Sequence, residues 1–336
     1  MIMLHINEFL INKKINKNID QPVYEYFPKD KRALKYLIKK LTDKGIYDLN
    51  CIDTSAITDM SNLFTNLKTG IPITKNNIDI SKWDVSNVTN MQCMFADFKK
   101  FNCDISNWNV SKVKNMLQMF YWCGEFNAPI GKWNVSNVTN MEGMFYNCEN
   151  FNQPIGKWHV SNVTSMNNMF FVCESFNQPL NDWDVSNVED MSCMFSVCKK
   201  FNQDLNDWNT SNAKDMSFMF SNCTKFNGEL GNWNTSRVIN MSHMLFSCAE
   251  FDNPLNDWDV SEVVNMIDMF GGCENFNQPL DKWNVKNVKY MTKMFEYCNK
   301  FNQSLDSWDP RSLENEEHMF DCCFSLKYKP HWYWKR

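Results

Sequence analysis

The sequence predicts an α/β solenoid of 25-residue coils, and three observations carry that reading. Trp recurs at 83, 108, 133, 158, 183, 208, 233, 258, 283 and 308, always 25 residues apart, without an insertion or deletion. Two Met ladders keep the same step, from Met91 to Met291 and from Met94 to Met319. A Cys ladder from Cys123 to Cys323 and a Phe ladder from Phe101 to Phe301 complete the unit. A further Phe ladder begins at Phe95 and breaks at Leu245, beside Phe246. The unit reads roughly Trp-Asp/Asn-Val-Ser-Asn-Val-x-Asn-Met-x-x-Met-Phe-x-x-Cys-x-x-Phe-Asn-Gln-Pro-Leu-x-x. One such unit cannot bury its own apolar side chains. Stacked copies can, and each ladder then becomes a row of like side chains along the stack.

Within a unit, Val88, Met91, Phe95 and Phe98 recur at helical intervals behind Ser86, a suitable N-cap, and predict a short helix or 3₁₀ turn. Ile80, Trp83 and Val85 predict a brief strand before it. Asn102-Cys103-Asp104 and Asn152-Gln153-Pro154 read as the connecting turns. A degenerate unit comes first: Ile52 to Met60 aligns with Trp83 to Met91 at an interval of 31 residues, which places a longer loop around Lys68 to Asn77. Upstream, Asp30 to Lys44 predicts a helix, with Leu34, Leu37, Ile38 and Leu41 on one face and Gly45 at its C-terminal end. The resulting organisation is an N-terminal extension over 1–21, a helical cap over 22–51, the repeats over 52–325 and a C-terminal cap over 326–336. Tyr328 to Arg336, with Trp332 and Trp334, is expected to close the last coil.

Composition narrows the function. The chain has 336 residues, of which 43% are hydrophobic, which is ample for a core. With 34 basic and 39 acidic residues it has no basic surplus or stripe, so a nucleic-acid partner is not expected. No run reaches the roughly 18 apolar residues of a membrane span. The start, Met-Ile-Met-Leu-His-Ile-Asn-Glu, lacks the basic-then-apolar order of a secretory leader. A cytoplasmic or particle-associated location is therefore expected over secretion.

The motifs themselves resemble the BspA-type leucine-rich-repeat family, in its mycoplasma-type form with a Trp-Asp-Val-Ser-Asn-Val-Thr-Asn-Met core. Trp83 to Met91 matches that core throughout, and Trp133 to Met141 differs at one residue. Met194-Phe195-x-x-Cys198-x-x-Phe201 is similar to a segment of other BspA-type repeats, and Tyr26-Phe27-Pro28-Lys29-Asp30-Lys31 is similar to the family's header. The resemblance covers about residues 46 to 325. It implies a leucine-rich-repeat-like solenoid and a role in surface attachment or protein interaction, in organisms that include mycoplasmas, protists and large DNA viruses. It implies no enzyme.

Among the 14 Cys there is no Cys-x-x-Cys pair, so one Cys per coil reads as a small buried residue rather than a metal ligand. Cys51, Cys93, Cys103 and Cys193 lie off the ladder and could react if exposed. The Asn row at 102, 127, 152, 177, 202, 227, 277 and 302 is expected to bond turn backbone. The Asp/Asn row at 84, 109, 134, 184, 209, 234 and 259 has calcium-ligand chemistry, but it lacks glycine-rich turns and His159 interrupts it. His5, His159, His243, His318 and His331 share no register, and no triad or phosphate loop recurs around them. No catalytic, cofactor or metal residue is assigned. What varies is the residue after the Phe95 ladder: Tyr121, Tyr146 and Phe171 in three successive coils, with Trp122 beside them. Projecting outward, these four form a candidate protein-binding patch; turned inward, they only cover the coil edge. Two functions follow, a protein-recognition module or a structural, surface or virion-associated component.

Overall fold

The structure, a computed structural model, describes residues 23–65 and 78–333. The extension at 1–21, the loop around 68–77 and Trp334 fall wholly or mostly outside the described residues. Among the described residues, the one helix is α1, Lys31–Thr42. Asp30 caps it by accepting the Ala33 N–H at 2.8 Å. Gly45 ends it at φ 77°, where Ile46 and Gly45 return their N–H groups to the carbonyls of Leu41 and Thr42. That is the Schellman arrangement, which requires a left-handed residue. The apolar face Leu34, Leu37, Ile38 and Leu41 is buried.

From there the chain repeats. Single-residue parallel bridges join Asp59 to Asn90, Asn90 to Asn115, Asn115 to Asn140 and so on to Tyr290 and Asn315. The strand expected over Ile80 to Val85 is absent: Trp83 and Val88 close tight turns onto the carbonyls of Ile80 and Val85. The helix expected over Val88 to Phe98 is absent too. Met91, Cys93, Phe95 and Asp97 donate their N–H groups forward, to the carbonyls of Asn115, Leu117, Met119 and Tyr121 in the next coil. Between them, Met94 and Phe98 close turns onto Met91 and Phe95. Cys93 at φ 51° and Asp97 at φ 66° turn the chain out of the helical region, which is why the ladder runs between coils and not within one. Each coil is thus a chain of turns with one bridge residue, and the chain is a repeat protein low in regular secondary structure.

The core is made by like side chains stacking on like. Phe101 lies 5.9 Å from Phe126, Phe95 lies 5.5 Å from Phe120, and Trp108 lies 6.5 Å from Trp133 with the rings parallel within 1°. Such offset stacks add to the burial energy of each ring. Polar groups of the repeated rows bond to the neighbouring coils. Trp133 Nε1 donates to Ile105 O and Trp183 Nε1 to Ile155 O, each at 3.1 Å. Asn127 Oδ1 accepts the Asn152 N–H, and Asn152 Oδ1 accepts that of Asn177, both at 2.9 Å. The Asn row therefore bonds backbone, as its residue type requires, but the backbone of the next coil.

The Cys row holds more than a small apolar residue. Cys123 Sγ donates to Phe95 O at 3.1 Å, Cys198 Sγ to Phe170 O at 3.0 Å, and Cys323 Sγ to Phe295 O at 2.8 Å. Each thiol adds a weak bond between neighbouring coils. Cys198→Ala is expected to lower stability by about 1–2 kcal/mol through the lost volume and donor. The off-ladder Cys193→Ala should cost less than about 0.5 kcal/mol. Urea unfolding of the two variants measures both, and equal losses would contradict the ladder's role.

The two ends differ. At the start, Ile52 to Met60 joins the pattern as the sequence alignment expects, with the Met60 N–H on Asn90 O at 2.9 Å. Thr65 O occupies the position of Tyr121 O, which takes an N–H from the preceding coil; here Lys35 Nζ of α1 supplies the donor at 3.0 Å. Lys31 Nζ reaches Asp59 at 2.6 Å and Ser61 Oγ at 2.8 Å. At the other end Trp332 stacks 6.1 Å from Trp308 and donates to Leu305 O, extending the Trp row by one member.

Candidate interaction surface

The forward-bonded turn decides which residues face out. In each coil the Met and Phe of the ladders point inward. The left-handed residues between them, and the residue after the second Phe ladder, stand on the opposite side. That strip runs through Cys93, Gln118, Asn168, Cys193, Phe218, His243, Asp268 and Lys293 in one row. Asp97, Trp122, Asn147, Val172, Val197, Asn222 and Tyr297 form a second, all of both rows at positive φ. Ladder positions hardly vary, whereas these two rows vary in almost every coil.

The structure brings three of the four candidate patch residues into one stack. Tyr121 lies 4.7 Å from Tyr146, and Tyr146 lies 4.6 Å from Phe171. Trp122 stands beside them, 6.5 Å from Tyr121 and 38% exposed, with Lys99 Nζ 5.6 Å from its ring centre. Tyr121, Tyr146 and Phe171 are half-buried, so each ring covers its neighbour and still presents an edge to solvent.

A second group on the strip escaped the sequence reading. His243 lies flat on Phe218 at 4.3 Å, with Nε2 3.4 Å from Asp268 Oδ2. Phe246 stands against the same ring. Burial holds the His243 imidazole below its ordinary pKa and pushes the Asp268 carboxyl up to about 6. The available signal was the break at Leu245, where the aromatic ring shifts to position 246 and so moves outward.

The other candidate chemistry resolves into structure. Oδ1 of Asp84, Asn109, Asn134 and Asp184 accepts the N–H two residues on, at 2.9–3.2 Å, and so shapes the turn. Cys51, Cys93, Cys103 and Cys193 are partly buried, and burial raises each thiol above its usual pKa, Cys193 to about 11. They are protonated at neutral pH and poor nucleophiles. Among the described residues, no group of three or more His, Cys, Asp or Glu is placed to hold a metal ion, and no helix is long and apolar enough to cross a membrane.

Like coils that stack row on row define a repeat protein. Three overlapping stretches, residues 32–153, 123–233 and 214–332, match the family described as Mycoplasma protein of unknown function, DUF285. The chain belongs to that family. No curated protein matches it.

Proposed function

We propose that this chain is a non-enzymatic solenoid of the BspA-type, leucine-rich-repeat-like kind, which binds a protein partner through Tyr121, Trp122, Tyr146 and Phe171. The observation that carries the reading is the partly exposed aromatic stack on this variable strip. Aromatic side chains on a rigid frame are the usual anchors of protein interfaces.

Backbone energetics support it. A non-glycine residue in the left-handed region costs about 1–2 kcal/mol, and a β-branched or bulky one is least at home there. The chain nevertheless places Trp122, Val172, Val197 and Phe218 at φ between 57° and 64°. Folding stability alone would favour Gly or Asn at these positions.

Capture of the tagged protein from its native cell, beside a variant carrying Tyr121→Ser, Trp122→Ser, Tyr146→Ser and Phe171→Ser, tests this. A discrete partner should be reduced at least about tenfold in the folded variant, as loss of hot-spot residues commonly does. Recovery of only particle or envelope proteins, unchanged by the variant, would overturn the reading and favour a structural component.

A further inference from the structure

Three buried side-chain atoms among the described residues have no hydrogen-bond partner: His243 Nδ1, Asp268 Oδ1 and Asn299 Oδ1. They are not scattered. His243 and Asp268 line a surface cavity of about 470 Å³, and Asn299 lines an adjoining one of about 440 Å³. The two cavities share Phe246 and Glu296. A fully desolvated polar atom without a partner costs free energy, so three in one place mark a site that a ligand completes.

The kind of ligand follows from the kind of atom. Asp268 Oδ1 and Asn299 Oδ1 are acceptors. Burial favours the neutral form of His243, and in that form the tautomer with its proton on Nε2, facing the Asp268 carboxylate, leaves Nδ1 an acceptor as well. All three unpartnered buried atoms are thus acceptors. Once the one ion pair of the lining is counted, the charge left over at Asp268 is negative. Lys293 is paired with Glu296 at 3.1 Å, while Asp268, 8% exposed, faces a neutral imidazole. The walls Phe171, Phe218 and Phe246 present aromatic surface.

We propose that the cavity beside Phe246 receives the guanidinium of an arginine borne by a partner protein, its N–H groups donated to Asp268 and to His243 Nδ1 and its plane laid against the phenylalanine rings. A guanidinium has five donors and no acceptor, stacks on aromatic faces and matches a carboxylate fork; a lysine ammonium lacks the plane. Asn299 Oδ1, in the adjoining cavity, takes an N–H from the same segment. This deepens the protein-binding reading of the strip and rests on it for the nature of the partner. The site itself is tested without a partner.

The test follows the His243 ring signals of the full chain, labelled at histidine, during titration with N-acetyl-arginine N-methylamide. The neutral citrulline analogue and the lysine analogue serve as comparisons. The His243 signals should move saturably with the arginine probe and bind the citrulline analogue about tenfold more weakly, the scale of a lost charge-assisted hydrogen bond. Asp268→Asn should weaken the arginine probe by a similar factor, and Lys157→Ala, which lines neither cavity, should leave it unchanged. Should Asp268→Asn not fold, Phe218→Ser, at a more exposed position, should weaken the probe by loss of stacking. Unmoved His243 signals, or equal affinity for the arginine and citrulline probes, would overturn the proposal. A bound arginine probe with an unsuccessful partner capture would point to the patch reading as the one in error.

Discussion

Trp183→Ala should lower the stability of this protein by about 3–5 kcal/mol, the range for truncating a buried aromatic side chain. Trp183 is 2% exposed, packs 6.2 Å from Phe170, and donates its indole N–H to Ile155 O. Removing it opens a void between two coils and strips one donor from the Ile155 carbonyl. Trp183→Phe separates the two terms, because it keeps most of the bulk and loses the donor. It should cost about 1–2 kcal/mol. Lys157→Ala is the control. Its ion pair with Asp182 is at 2.6 Å, but both partners are largely in solvent, so the loss should stay under about 1 kcal/mol. Urea unfolding followed by circular dichroism measures all three. A Lys157→Ala loss equal to that of Trp183→Ala would overturn the assignment of inside and outside.

Ile38→Ala should show a loss of about 2–5 kcal/mol of a different kind, confined at first to one end. Ile38 is fully buried on the inner face of α1. Lys31 and Lys35 of the same helix hold Asp59, Ser61 and the carbonyls of Asn62 and Thr65. In a repeat array each unit is stabilised mainly by its neighbours, so loosening α1 frays the nearest coils before the rest. Hydrogen exchange should show early loss of protection at the amides of Met60, Asn62 and Phe64, which bond forward to Asn90, Gln92 and Met94. The amides of Met191 and Phe195, in a central coil, should keep theirs. Uniform loss along the chain would show that α1 does not act as a local clamp.

The period, the inward ladders and α1 were legible because each rests on spacing alone. Trp, Met, Phe and Cys at a constant step can only be rows, and Leu34, Leu37, Ile38 and Leu41 can only be a helix face. The local conformation of the coil was not legible. Turns that close onto the third residue back return side chains to one side every three or four positions, as a helix does, so Val88, Met91, Phe95 and Phe98 read as helical. The residues that break the helix are Cys93, Gln118, Asn168, Phe218 and their equivalents, at positive φ. Among the described residues glycine fills these rows only at Gly143 and Gly272, too sparsely to mark a left-handed turn in every coil. The same gap explains the site. Tyr121, Tyr146 and Phe171 share one row and were found by their spacing. Phe218, His243 and Asp268 lie in a different row from Phe246, and only the left-handed turn brings the two rows to one surface.

The forward direction of the backbone bonds that start at the Met residues of the first ladder gives the molecule an arrow. Along Met91 to Asp97, and again along Met191 to Val197, every second N–H is offered toward the C-terminus and accepted there. A coil therefore joins its two neighbours by unlike edges, as a link in a chain of hooks and eyes does. Any unit can be duplicated or lost between two others and both new junctions still match, since hook meets eye at each. Evolution can then adjust the reach of the molecule in whole steps of one unit, with α1 and the final Trp pair untouched. Such a frame sets the distance between two binding positions by counting.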